Sequence, residues 1–282
     1  MSTPLQNDLK TAKGVADQFI NLAPFLNWES IEKQALRKYP IDIASTLASV
    51  SGKPLDILQA LLASPVSTTA LDYKSNLVAL DSCIAHLLAQ MSSVNKTSLR
   101  NKLSNIGVAS FWDTLGELWF AERFLQSGQK IQIDFPLHQP VGTNQPSDAD
   151  IAIVDGSGNP IWLFDATCPS MPKELTLPED ASFLPDHHAA LRWIEDEVEK
   201  KYQSKFAAHI ANLKPARAAV ILTLIKADQI SAYLLPIHYT TGLPAHLNKA
   251  LKAKCPGLEY AVAGRFQKGQ TGIDFVKIAE LA

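Results

Sequence analysis

Apolar residues recur at helical spacing through the first third of the chain and change to strand-like runs beyond it. Val15, Phe19, Ile20 and Leu22 form one stripe, and Trp28, Ile31, Ala35 and Leu36 form a second that Pro40 closes. Two short helices are expected at 43–47 and 55–62, around the turn signal Ser51-Gly52-Lys53-Pro54. A longer helix at 77–91 carries Leu77, Leu80, Ile84, Leu87 and Leu88 on one face. Residues 1–107 therefore read as a helical N-terminal region. The paired short helices loosely suit a helix-turn-helix. The second of them has no arginine and one charged residue, Asp56, so helical packing is the better reading.

From residue 110 the pattern changes. An amphipathic helix at 110–127 ends at Gly128, a normal C-terminal stop. Strands are expected at 130–135, 149–154 and 161–166, the last two joined by the hairpin-like turn Asp155-Gly156-Ser157-Gly158-Asn159. The Pro-, Gly-, Asn- and Gln-rich stretch 136–147 reads as a loop, and the proline-rich 169–185 as irregular. A long helix at 186–213 follows, then strands at 218–225 and 230–237, a short helix at 244–254, and strands at 258–264 and 272–278. Helix, three strands, helix, then further strands describes an α/β (α+β) arrangement over 108–282, with a central mixed β-sheet flanked by helices.

Composition narrows this little. The chain has 282 residues, is 46% hydrophobic and 19% charged, and carries a net charge of -2, so any basic surface must be local. Cys83, Cys168 and Cys255 are far apart and lack metal-ligand spacing, which disfavours zinc and fits reduced thiols in a cytoplasmic protein. No apolar run approaches the length of a membrane span, so a membrane partner is not expected.

Three acids stand out against this background. Glu117 lies in an apolar helix. Asp150 sits directly before Ile-Ala-Ile-Val, and Asp165 directly after Ile-Trp-Leu-Phe. Acids so placed are costly if buried without a partner. A shared task explains them together, and for carboxylates that task is usually a divalent metal. Asp148 lies on the same strand face as Asp150 and competes for the ligand role. Glu122, beside Arg123, reads as a surface partner. Cys168 reads as a small core residue rather than a nucleophile, His187-His188 as a helix start, and His209 as a core histidine. Lys249, Lys252, Lys254, Arg265 and Lys268 make the C-terminal region locally basic, which reads first as a solvated face and second as a phosphate track.

The order helix-Glu, strand-Asp, strand-acid, helix, strand resembles the PD-(D/E)XK (restriction-endonuclease-like) nuclease superfamily. Gly116-Glu117, Ala121, Phe124-Leu125, Gly128 and Ile131 resemble the first helix of its small resolvase-like branch. Asp148-Ala149-Asp150-Ile151-Ala152-Ile153 looks like the second motif, and Leu163-Phe164-Asp165-Ala166-Thr167 like the third. The resemblance covers roughly 110–225. It implies a restriction-endonuclease-like core, Mg²⁺ or Mn²⁺ held by Asp150, Asp165 and Glu117, and hydrolysis of nucleic-acid phosphodiesters, with DNA favoured. Homodimer assembly is compatible with the sequence.

One departure matters. Where the family's third motif ends in lysine, this chain has Thr167. That lysine normally orients the attacking water and stabilises developing negative charge. In the helix 186–213 the core stripe is Leu191, Ile194, Val198, Tyr202, Phe206 and Leu213. Lys205 falls inside it and Lys201 on its edge, whereas Lys200 points away. Lys205, then Lys201, are the candidates for the vacant role. If neither serves, the chain reads as a catalytically inactive nuclease-fold protein that binds nucleic acid or another protein. A metal site for other chemistry is the third reading.

Overall fold

The computed structural model describes residues 2–47, 56–66, 73–89, 93–137, 147–167, 187–208, 217–224, 249–266 and 273–280. Two compact units divide between Arg123 and Phe124. Among the described residues no helix is long and apolar enough to cross a membrane.

The first unit is helical. It contains α1 (Pro4–Ala16), α2 (Trp28–Lys38), α3 (Ala44–Leu47), α4 (Ile57–Ala63), α5 (Tyr73–Leu88), α6 (Ser93–Leu103) and most of α7 (Val108–Gln126). Local chemistry sets several of these starts. Thr3 and Gln6 form a capping box on α1, Asn27 caps α2, and Asp56 with Gln59 caps α4. The first two apolar stripes are shorter than the spacing suggests. Helix α1 ends at Ala16, and Phe19 and Leu22 are buried from the turns that follow, while Ile20 is 76% exposed. On α2, Ile31 and Ala35 align one turn apart and are buried, whereas Leu36, about 100° further round, is 66% exposed. Helix α4 buries every residue from Ile57 to Leu61, as a packed core helix does. Residues 48–55, the expected turn before it, lie outside the described residues.

The second unit holds a six-stranded mixed sheet in the order β1 (Lys130–Leu137), β2 (Ser147–Val154), β3 (Pro160–Thr167), β4 (Arg217–Leu224), β5 (Leu258–Phe266) and β6 (Ile273–Glu280). Strands β1, β2 and β3 run antiparallel, β3–β4 and β4–β5 are parallel, and β6 returns antiparallel to β5. The β2–β3 turn is organised by Asp155, whose carboxylate accepts from the Ser157 and Asn159 N–H groups at 2.8 and 2.9 Å. Those bonds, Asn159's foremost, hold its carboxyl below the usual range. Gly158, at φ 86°, takes the left-handed position that a side chain would resist.

Parallel pairing of β3 with β4 needs a crossover, and α8 (His187–Lys205) supplies it. Its face of Ile194, Val198 and Tyr202, with Phe206 just beyond, packs on Ala152, Leu163, Ala218 and Val220. Each large side chain so buried contributes about 1.5–3 kcal/mol. The helix is shorter than the periodicity indicates. It stops at Lys205, the chain turns at 206–208, and Leu213 and His209 lie outside the described residues. So do Cys168, Lys268, the expected strand 230–237, and residues 244–248 of the expected short helix, which is described over 249–254.

Candidate functional site

The strand register assembles the site. Ile151 pairs with Phe164 across β2 and β3, which sets Asp150 abreast of Asp165. Residues abreast on neighbouring strands share a face of the sheet. The Ala166 N–H donates to Asp150 Oδ2 at 2.8 Å, fixing that carboxylate against β3. Asp165 is wholly buried. Two carboxylates cannot donate to one another, and neither oxygen of Asp165 accepts a hydrogen bond from a described N–H or O–H group. Burial first, and the adjacent Asp150 second, push the Asp165 carboxyl well above its ordinary range, against the opposing pull of Lys201 and Lys205.

Both lysines come from the sheet-facing side of α8. Lys201 and Lys205 are one turn apart and flank Tyr202, so the apolar stripe that docks the helix also delivers them. Lys201 Nζ lies 3.1 Å from Asp165 Oδ2. Lys205 Nζ is 3.9 Å from Asp165 Oδ1, and it also donates to the Asp148 carbonyl at 3.1 Å and to Asp148 Oδ1 at 3.3 Å. Burial lowers the affinity of the Lys205 amine for its proton, but Asp165, Asp150 and Asp148 outweigh it and hold the amine above its usual value. Both Asp165 and Lys205 thus shift upward, as expected of a half-closed site rich in carboxylates. Lys200 turns outward and meets Glu197 at 3.8 Å.

A fourth aspartate belongs to this neighbourhood. Ile133 pairs with Ile151 and Phe135 with Ala149, so Asp134 stands abreast of Asp150 on the other side from Asp165. Asp134 and Asp150 each offer a carboxylate oxygen, and the two lie within 4.8 Å. Asp134 also has φ 52°, a left-handed conformation inside a strand. Its signal in the sequence is an acid interrupting the run Ile131 to Leu137, the same signal that singles out Asp150 and Asp165.

Glu117 belongs to the first unit, where it is buried. Lys102 of α6 donates to its two oxygens at 2.8 and 2.7 Å. Nothing in the spacing from 102 to 117 announces this pair, because it depends on how α6 and α7 pack. Leu118, Trp119, Phe120 and Ala121 are all buried, so α7 is enclosed on several sides around Glu117. Glu122 is not confined to a surface pairing with its neighbour Arg123: it meets His86 Nδ1 on α5. It also lies against Cys83, whose thiol burial, then Glu122, push well above its usual range.

Elsewhere, Lys254 is absorbed by α8, with Glu195 at 2.7 Å and Glu199 at 2.9 Å. That takes one charge out of the basic C-terminal group, while Lys249 and Lys252 are exposed. Cys255 is buried, and burial pushes its thiol up to about 12, as befits a core residue rather than a nucleophile.

No protein-family model, no curated protein and no solved structure matches the chain. What the site can do rests on its own chemistry. All-oxygen donors suit a hard divalent ion such as Mg²⁺ or Mn²⁺ better than zinc. Asp165, a wholly buried carboxylate beside Asp150 whose described counter-charges are the Lys201 and Lys205 amines, belongs to that class of ligand.

Proposed function

We propose that the protein is a metal-dependent nuclease with a restriction-endonuclease-like core, acting on nucleic-acid phosphodiesters and on DNA in the first instance. The observation that carries this reading is Asp150 abreast of Asp165 at a sheet position that α8 covers with Lys201 and Lys205. Asp150 and Asp165 would act as ligands of a divalent ion, with Asp148 as the further candidate on the same strand. Bound there, Mg²⁺ or Mn²⁺ supplies an acidified water and neutralises phosphate charge. Lys201 or Lys205 takes the part that a lysine at position 167 would otherwise play, holding the attacking water and countering negative charge.

Thr167 favours a second reading, in which the fold is kept without cleavage and serves to bind nucleic acid or a partner protein. The experiment that separates them is cleavage of plasmid and single-stranded DNA with Mg²⁺ or Mn²⁺, native chain against Asp165→Ala, with chelator as control. Metal-dependent cleavage that Asp165→Ala abolishes supports the enzyme. Absence of cleavage by folded native protein, together with DNA retention in a binding assay, selects the second reading.

A further inference from the structure

Each oxygen of Asp165 faces a lysine amine. Lys201 Nζ is 3.1 Å from Oδ2 and Lys205 Nζ is 3.9 Å from Oδ1 of this wholly buried carboxylate. The lysine side chains are only 23% and 25% exposed, so little water screens their charge from anything that enters the site. A carboxylate oxygen holds Mg²⁺ or Mn²⁺ at about 2.0–2.2 Å. An ion held by Oδ2 would therefore lie at most about 5.3 Å, the sum of the two distances, from the Lys201 amine where it now stands. A dication and an ammonium at that range in a poorly hydrated site repel one another. The two compete for Asp165. The amines have somewhere else to go. The Lys201 stem pivots on α8, and its head can swing toward solvent while the stem stays packed. Lys205 already has a second hold on β2, the Asp148 carbonyl at 3.1 Å and Asp148 Oδ1 at 3.3 Å.

We propose that Lys201 and Lys205 form an autoinhibitory latch: they are intramolecular counter-ions of Asp165 that a divalent cation must displace, and Lys201 is the principal competitor. This rests on the metal-centre reading above and concerns the regulation of that same site. A displaced Lys201 amine becomes available to a phosphate, so the latch and the charge-countering group are two positions of one side chain.

The test is direct Mn²⁺ binding by the full chain, read from the free-ion paramagnetic resonance signal without any cleavage assay. It compares the native protein with Lys201→Met, Lys205→Met and Lys200→Met. Lys200→Met removes the same charge from the next position on α8, where the amine turns outward to Glu197, and so controls for net charge. Lys201→Gln, which keeps a neutral donor for the buried carboxylate, serves as the second variant where Lys201→Met does not fold. The expected result is Mn²⁺ binding tighter by about tenfold in both position-201 variants, a smaller gain in Lys205→Met, and no change in Lys200→Met. Binding by the position-201 variants with none by the native chain also supports the latch. Affinity equal to or below native in both position-201 variants overturns the latch and leaves the metal-centre reading standing. No Mn²⁺ binding by the native chain or by any lysine variant overturns both.

Discussion

Lys201 Nζ lies 3.1 Å from Oδ2 of Asp165, a carboxylate with no exposure to solvent, and the two come from elements joined only through the docking of α8 on the sheet. The pair makes a charged contact where a strand would ordinarily present an apolar side chain to its covering helix. Holding a charge there works against folding, and that cost is measurable.

Asp165→Asn should raise stability at neutral pH, on the order of 1 kcal/mol or a few degrees in Tm, the usual gain when a strained functional group is neutralised. The sign follows from the upward shift of the Asp165 carboxyl. The folded state binds this proton more tightly than the unfolded chain, so its stabilising contribution is full below the unfolded value near 4 and is lost as pH rises through the folded value. The difference between Asp165→Asn and native protein should therefore shrink as pH falls toward 4. Thermal melts of both proteins across that range check it. An equal gap at every pH would remove the electrostatic explanation.

The two lysines should separate in cleavage kinetics. Lys201 is the nearer to Asp165, and Lys205 divides its contacts between Asp165 and the start of β2. Lys201→Met is expected to reduce single-turnover cleavage by about 10²–10³-fold, the range for loss of one charge-stabilising donor. Lys205→Met, acting through the position of Asp148, should cost about tenfold to a hundredfold.

Lys102→Met should destabilise the helical unit by about 3 kcal/mol, because it takes two short charged bonds from the buried Glu117 carboxylate. Adding Glu117→Gln should recover part of the loss, since the uncompensated charge goes with it. A double-mutant cycle in thermal or denaturant unfolding reads the coupling.

Asp56 is the hub of a second buried network. It caps α4, accepts from Lys38 Nζ at 2.6 Å, and accepts from the Tyr39 hydroxyl. Asp56→Ala removes the cap and leaves two donors without it, at a cost of about 3 kcal/mol, while Asp56→Asn keeps the cap and should cost less. Burial first, and the Asp56 charge second, push the Tyr39 phenol upward. The folded state thus keeps that proton longer than the unfolded chain, so stability present below about pH 10 is lost as pH rises further. Asp56→Asn should flatten that alkaline decline, which circular dichroism melts between pH 8 and 11 can follow.

Most elements of the sheet were legible from local pattern, within about two residues at their ends. An apolar run bounded by Gly, Pro or Asp can do little else than form a strand, and the Asp155–Asn159 turn states its own geometry through short side-chain bonds. Helix α7 and the buried face of α8 were equally plain. The misjudged ends were those set by partners. Phe19 and Leu22 are buried from turns beyond α1, and α8 stops at Lys205, although the spacing of Phe206 and Leu213 continues its stripe.

The site divides along the same line. By itself, the sequence determined which acids are out of place, because an aspartate at the end of an apolar strand needs no partner in view to be anomalous, and it narrowed the covering lysines to Lys201 and Lys205 through the phase of α8. Tertiary structure decided the rest. Register put Asp150 between Asp165 and Asp134, helix packing brought Lys102 to Glu117, and the docking of α8 made Lys201 the nearer lysine. These are contacts between residues far apart in the chain, and their distances depend on how faces pack, which periodicity along one element does not encode.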